Sequence, residues 1–473
     1  MSKQERKSGL ITPGYTLTFI LITALFFLWA FPNILNDVLL KQFTKSLELN
    51  LSQAGFLPVA LKTGYFVLAI PAGLFMQRFG YKTGILFGLG LFAAGCVLFY
   101  PAALSRTYAV FLGGIFVMAG GCAFLEIGAN SLTVALGDKE TSERRLNLAQ
   151  SFNPIGGIFA SLLGVRFIFS GNEPSLSEIA EWKRTPVEGF SNRYESFLHE
   201  ENMRVFPTYL TLAVIILVVA VFIWRAKFPV IDISEKSDGK KGSIRELLKY
   251  PHWLGAIVSQ FFYLGAQLGT WSFLIIYIQN NSDLGEKEAG TFLVANMVIF
   301  MAGRFMSTWL MKFFKAQRLM GIYAITNILL VFVAILGSRW ASERFAWSLY
   351  GLTFSLPFNI FGGVSLSIGI YAISATTLFM SLMYPTNFAS GMKGLGPNSK
   401  LGASILVMSL IGGAVLSKLM GFIGNMDLAS TPVTGLETTV KAIAPGLIVP
   451  VISYCVVAWY ALYGSRPRGP LYE

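Results

Sequence analysis

Apolar residues in this chain come in long blocks, separated by short polar or charged stretches. A helix needs about 20 apolar residues to cross a bilayer. Blocks of that kind predict membrane-spanning helices over residues 15–42, 52–77, 83–104, 107–136, 144–170, 204–226, 252–280, 288–312, 317–337, 362–390, 400–424 and 442–464. The expected fold class is therefore an all-α integral membrane protein with twelve transmembrane helices. An extra, partly apolar segment over 338–361 contains Pro357 and fits an interfacial helix, a re-entrant piece or the true start of the tenth span. The first apolar block is too long for a signal-peptide core and includes Asp37, so it reads as a span, not as a cleaved leader.

An even number of spans puts both termini on one side, and loop charge says which. Arg225–Lys249 holds seven basic against four acidic residues, whereas Ser170–Met203 holds three basic against seven acidic. Basic clusters at Arg78/Lys82, Arg144/Arg145, Lys312/Lys315/Arg318 and Arg466/Arg468 fall on the side of the first loop. The positive-inside rule then places the termini and the 227–250 linker in the cytoplasm. The linker divides the chain into an N-terminal six-helix bundle (1–226) and a C-terminal one (251–473). A weak repeat at an offset of 235 residues pairs Gln53-Ala54-Gly55 with Glu288-Ala289-Gly290. Two six-helix halves with a repeat of the same topology are what a parallel-repeat transporter requires.

Composition narrows the class further. Charged side chains make up 13% of the 473 residues and hydrophobic ones 54%, and the mean hydropathy is +0.60. That is about half the charge of a soluble globular chain. The net charge of +12 is scattered in loop clusters, which argues against nucleic-acid binding. Cys96, Cys122 and Cys455 sit in apolar runs and form neither a disulfide framework nor a zinc spacing. Two histidines, His199 and His252, are too few for a histidine-rich metal site, and both are expected outside the core. No Gly-x4-Gly-Lys-Ser/Thr sequence occurs, so no ATP site is expected, and neither a cofactor nor a metal is called for.

The charges left inside the spans carry the functional argument. Placing one in hydrocarbon costs about 2.5–3.5 kcal/mol, so those that persist there mark function. Asp37, near the outer end of the first span, either is wet at that interface or, with Asn33 one turn earlier and Pro32 kinking the helix, faces a cavity. Glu126 lies deep in Met118-Ala-Gly-Gly-Cys-Ala-Phe-Leu-Glu126, with Asn130 one turn on. A carboxyl group in low dielectric holds a proton more readily, so it carries a proton in one state and releases it in another. Lys62, well inside the second span, either pairs with one of these acids or meets an anionic group of the substrate. Arg304, in the inner half of the eighth span, either gates or snorkels.

A second set of residues suits a sugar, which offers hydroxyls and apolar C–H faces to amides and flat rings. Gln260, Tyr263, Gln267 and Trp271 fall at spacings of 3, 4 and 4 on one face of the seventh span. Gln150 and Asn153 share a face of the fifth span, and Asn387 follows Tyr384-Pro385 in the tenth. Amides in membrane helices also serve as glue between helices, so the four-residue stripe weighs more than any single residue.

The stretch Gly73-Leu-Phe-Met-Gln-Arg78-Phe-Gly80-Tyr-Lys82 resembles the signature loop between spans two and three of the major facilitator superfamily. Gln77 stands where that signature usually has Asp. More narrowly, the chain resembles the fucose–galactose–glucose:proton symporter family. The resemblance rests on Asn36-Asp37-Val-Leu-Leu40, Ile70-Pro71-Ala72-Gly73, Leu125-Glu126 with Asn130, Arg145-Leu-Asn147-Leu-Ala-Gln150-Ser-Phe-Asn153, Gln260-Phe-Phe-Tyr263, Gly303-Arg304-Phe305 and Tyr384-Pro385-Thr386. It implies the facilitator fold, roles in proton coupling and sugar recognition for Asp37 and Glu126, and pocket roles for Gln150 and Asn153. This chain departs from the family at Ile34, where a polar residue is usual, and at Lys62, where no lysine is found.

The expectation is a proton-coupled symporter that imports a hexose or deoxyhexose such as L-fucose, galactose or glucose by alternating access, working as a monomer in the lipid bilayer. The rival is a proton-driven exporter of small amphipathic compounds, whose cavity would be greasier. A membrane-embedded enzyme would need a nucleophile–base or metal constellation, and the sequence offers none.

Overall fold

The computed structural model describes residues 9–49, 53, 56–168, 176–228, 243–282, 284, 286–338, 367–425 and 443–467. The expected extra segment over 338–361 lies almost wholly outside the described residues, as does much of the linker.

The predicted blocks fold as helices because hydrocarbon offers the backbone no partner other than its own carbonyls. In chain order the first half contains α1 (Thr16–Ser46), α2 (Phe56–Val97), α3 (Phe99–Ser105), α4 (Tyr108–Ala135), α5 (Ser142–Gln150) with α6 (Phe152–Leu163), the short α7 (Leu176–Trp182) and α8 (Arg193–Met203) between spans, and α9 (Val205–Arg225). A short α10 (Ile244–Leu247) then leads into α11 (Pro251–Ser272) and α12 (Leu274–Asn281). The chain continues through α13 (Glu286–Leu310), α14 (Ala316–Leu336), α15 (Ile368–Met380) with α16 (Met383–Gly391), α17 (Ser399–Met408), α18 (Gly412–Asn425) and α19 (Ile448–Trp459).

Among the described residues, ten helical stretches are long and apolar enough to span, and α11 with α12, bent by 50° at Phe273, makes an eleventh. One of the ten, Phe56–Ser105, is 50 residues long and counts twice, because its helix breaks at Gly80. Gly80 has φ 83° and ψ 166°, backbone that disfavours a side chain, so it turns the second span into the third. The expected twelve spans are present.

Helices before residue 228 pack mainly among themselves, α2 against α4 and α9 and α1 against α6. Those after residue 250 do the same, α11 against α18 and α19 and α14 against α15 and α19. The sequence repeat has a packing counterpart. A Cβ on Gly156 in α6 would sit 2.1 Å from the Phe27 carbonyl oxygen of α1. A Cβ on Gly412 in α18 would sit 2.2 Å from the Phe261 carbonyl oxygen of α11. In each half a glycine thus lets the fifth helix of the set ride on the backbone of the first. Close backbone approach of this kind is the main source of helix cohesion in lipid.

Outside the spans, α8 folds back onto the end of α1. Gln42 donates to the Glu201 carboxylate at 3.1 Å, and Lys45 pairs with it at 3.0 Å. Asn202 donates to the Ser46 carbonyl at 3.0 Å and accepts from its hydroxyl at 3.1 Å. Glu201 and Asn202 are buried, so this clamp is a packed joint between α8 and α1.

Substituting Gly156→Leu or Gly412→Leu forces the paired helices apart. Overpacking costs about 1–3 kcal/mol, so each variant should melt several degrees below the parent in detergent. An unshifted melting curve for both would show that these contacts do not stabilise the packing inside each half.

Candidate functional site

The two halves meet along a ladder of polar contacts that climbs from the face on which α1 begins toward the middle of the bundle. At the foot, Glu143 of α5 pairs with Lys393, accepts from Gln317 of α14 at 2.6 Å and lies 3.5 Å from the Ser390 hydroxyl of α16. One turn higher, Asn147 donates to the Arg304 carbonyl and to the Thr308 hydroxyl of α13, both at 2.9 Å. Higher again, the Arg304 guanidinium donates to the backbone and side-chain oxygens of Gln150. Gln150 donates in turn to Asn130 of α4 at 2.8 Å, and Asn130 donates to the Tyr384 hydroxyl of α16 at 3.4 Å. At the top of the ladder the Tyr384 hydroxyl donates to the Glu126 carboxylate.

Each rung is placed by helix geometry. Glu143, Asn147 and Gln150 recur at spacings of four and three and so share one face of α5. Glu126 and Asn130 are one turn apart on α4, and both are buried. The small residues around them, Gly120, Gly121 and Gly128, bring α4 against α2. Pro385 lies in the first turn of α16, just after the chain breaks between α15 and α16, and this break turns Tyr384 across to the other half. Lys62 lies on α2, the helix that packs against α4, which carries Glu126.

The predicted residues fall into three groups. Glu126, Asn130, Gln150 and Arg304 come together in the ladder. Arg304 neither snorkels nor reaches solvent: it is 5% exposed, and its guanidinium lies 4.7 Å from the centre of the Phe300 ring. Asn153 donates to the Phe26 carbonyl of α1 at 2.9 Å, and Asn33 lies 3.5 Å from the Tyr65 hydroxyl, so both are tied within the N-terminal half. The Asp37 side chain lies outside the described residues; its backbone continues α1 between the buried Asn36 and Val38.

The C-terminal residues form a different environment. Gln260 and Tyr263 are buried on α11 with no hydrogen-bond partner on either amide atom or on the hydroxyl. Gln267 is 9% exposed, and the Trp271 ring nitrogen, in the last turn of α11, is also unpartnered. Asn387 accepts from Ser259 at 3.0 Å and leaves its amide nitrogen unpartnered. An unpaired buried amide costs about 1–3 kcal/mol, so this row is built to be completed by water or by a polar guest.

Tyr384, Asn147, Glu143 and Lys393 had no assigned role from the sequence. Their pairing is long-range, and no spacing along the chain reports it. His252, expected outside the core, is fully buried and hydrogen-bonds the Lys393 carbonyl at 2.8 Å. Gln77 of the signature loop keeps its amide nitrogen unpartnered. Among the described residues, no group of three or more His, Cys, Asp or Glu side chains gathers where a metal ion could be held.

A twelve-span bundle of two packed halves, joined on one side by buried polar contacts around a carboxylate, defines a secondary transporter. The chain belongs to the Major Facilitator Superfamily, whose family model matches residues 15–415. It is 34% identical over 462 residues to the L-fucose-proton symporter of Escherichia coli, covering 96% of this chain and 94% of that one. It is 28% identical over 461 residues to a glucose/galactose transporter of Brucella abortus, covering 96% and 95%. A crystal structure of the transporter FucP in the outward conformation superposes with a TM-score of 0.78 at 32% identity, covering 95% of this chain and 99% of that one.

Tyr384→Phe keeps the ring and removes the hydroxyl that reaches Glu126. A hydrogen bond to a charged group contributes about 1.5–3 kcal/mol, so the halves should part more often on the side where α1 begins. Spin labels placed on that face of each half should report a larger share of long distances. An unchanged distance distribution would mean that the bond does not hold the halves.

Proposed function

We propose that this protein is a proton-coupled symporter that imports a monosaccharide, a hexose or deoxyhexose of the L-fucose, galactose and glucose kind, by alternating access. The moving parts are the halves 1–226 and 251–473, joined by the 227–250 linker. The termini and the linker face the cytoplasm, the membrane is the bacterial inner membrane, and one chain is the working unit. With that orientation the polar ladder closes the cytoplasmic side, as expected for an outward-facing carrier, and the likeness to FucP in its outward conformation supports this.

The observation that carries the proposal is the bond from Tyr384 to Glu126, because it couples one proton to the joint between the halves. While Glu126 is ionised it is a strong acceptor and holds Tyr384 across the interface. A proton arriving from outside, through the region of Asp37, neutralises the carboxylate and weakens that bond. A sugar bound between the N-terminal acids and the C-terminal amides supplies replacement hydrogen bonds, and the lower rungs then open inward. Sugar and proton leave together on the cytoplasmic side, where Glu126 ionises again. Neutral sugar with one proton moves one positive charge, so the membrane potential contributes about 2.3 kcal/mol per 100 mV.

Arg304 holds the C-terminal half to Gln150 in the closed state and so acts as the inner gate. Asn33, Asn130, Gln150, Asn153, Gln260, Tyr263, Gln267, Trp271 and Asn387 form the sugar-binding wall, with Lys62 tuning the acids and the preference among sugars. An exporter of amphipathic compounds would need a greasy cavity, and the unpartnered Gln260 amide, Tyr263 hydroxyl and Trp271 nitrogen of α11 argue against one.

Asp37→Asn and Glu126→Gln should each abolish sugar-driven proton entry in vesicles while leaving measurable sugar exchange. Full proton entry in both variants would end this mechanism. Lys62→Tyr should reorder the preference among fucose, galactose, glucose, mannose and N-acetylglucosamine; an unchanged ranking would remove Lys62 from the pocket.

A further inference from the structure

The C-terminal half holds one buried amide that the wall above does not use. Asn296 of α13 is 1% exposed, and neither its oxygen nor its nitrogen has a hydrogen-bond partner. Asn296, Phe300 and Arg304 follow one another at intervals of four, so they share one face of α13. Two independent contacts show where that face looks. Arg304 reaches Gln150 in the opposite half. Phe300 meets the Trp271 ring edge to face, with centroids 5.2 Å apart. The face is therefore directed at the seam between the halves and at the end of the amide stripe on α11.

Depth agrees. Asn296 is ten residues from the start of α13 and fourteen from its end, near mid-membrane. Trp271 is ten residues from the end of α12, at the same level. Arg304, eight residues further along α13, is about 12 Å deeper at 1.5 Å per residue. An amide left open on both atoms at mid-membrane is costly in hydrocarbon and calls for a group that both donates and accepts. A hydroxyl does both. The neighbouring Trp271 nitrogen supplies a second open donor, and the Trp271 and Phe300 rings offer apolar surface to C–H bonds.

We propose that Asn296 is a specificity-determining residue that reads one ring hydroxyl of the sugar, together with the Trp271 nitrogen, above the Phe300 ring. The proposal rests on the symporter reading and adds a contact to it. Asn296, Trp271 and Phe300 are themselves neutral, with the Arg304 guanidinium on the Phe300 ring already bonded to Gln150, so the contact discriminates among neutral sugars by which hydroxyl they present, apart from the proton chemistry at Glu126.

The test is equilibrium binding and proton-coupled uptake of the best-transported hexose and its monodeoxy derivatives, in the parent, Asn296→Leu and Asn296→Thr. Asn296→Leu should weaken binding of the complete sugar at least tenfold. It should leave almost unchanged the binding of the one derivative that lacks the hydroxyl Asn296 reads, because parent and variant then both lack that bond. Asn296→Thr, smaller and still polar, should lie between them and provides the reading if the leucine variant does not fold. An equal loss across the whole series, or no loss, in a folded variant would overturn the proposal and leave Asn296 as the host of a buried water. A parent protein that moves no proton with any sugar would instead overturn the symporter reading, and this contact with it.

Discussion

A carboxylate in hydrocarbon must be neutralised or bonded, and this molecule is arranged around that requirement. Glu126 is buried at the centre of the N-terminal half, and the hydroxyl that satisfies it, from Tyr384, belongs to the other half. The cost of the charge is thereby converted into adhesion between the halves. Asn130, Gln150 and Arg304 extend the same bond toward the face where α1 begins, and Glu143 with Lys393 ends it there. Any change in the protonation of Glu126 acts first on the contact that must break for the bundle to open on that side.

The two halves share a scaffold and divide the chemistry. Gly156 against Phe27 and Gly412 against Phe261 show the same helix pair packed in the same way. Yet Asp37, Lys62 and Glu126 lie in the first half, and the open amides Gln260, Asn296 and Asn387 lie in the second. Arg304 is the exception, and its charge is spent on the opposite half and on the Phe300 ring. Acids in one half and open amides in the other suit a carrier that must sense a proton and a sugar before it moves.

Much of this was legible in the sequence. The apolar blocks gave the spans because hydrocarbon thickness sets a minimum length that no other fold requires. Glu126 and Arg304 stood out because a charge inside such a block demands a reason. The pairings did not stand out. Tyr384 reads as an aromatic beside a proline, and Glu143 and Lys393 read as loop charges, since their partners lie more than 200 residues away or in the other half. Asn296 sits alone in Leu293-Val-Ala-Asn296-Met, with no second polar residue nearby to mark it. Only its spacing of four from Phe300, and of eight from Arg304, carried a signal. The helices α7 and α8 were read as a charged loop, because they are short and too polar to show the periodicity of a span.

The joint between α8 and α1 has a consequence for access from the face opposite the one on which α1 begins. Gln42, Lys45 and Ser46 bind Glu201 and Asn202 within about three turns of Asp37 on the same helix. A rigid antibody fragment or a cyclic peptide that seized α8 would therefore pull on the helix that carries the acid without ever entering the sugar path. Inhibition by that route would be indifferent to sugar concentration, which sets it apart from any blocker shaped like the cargo.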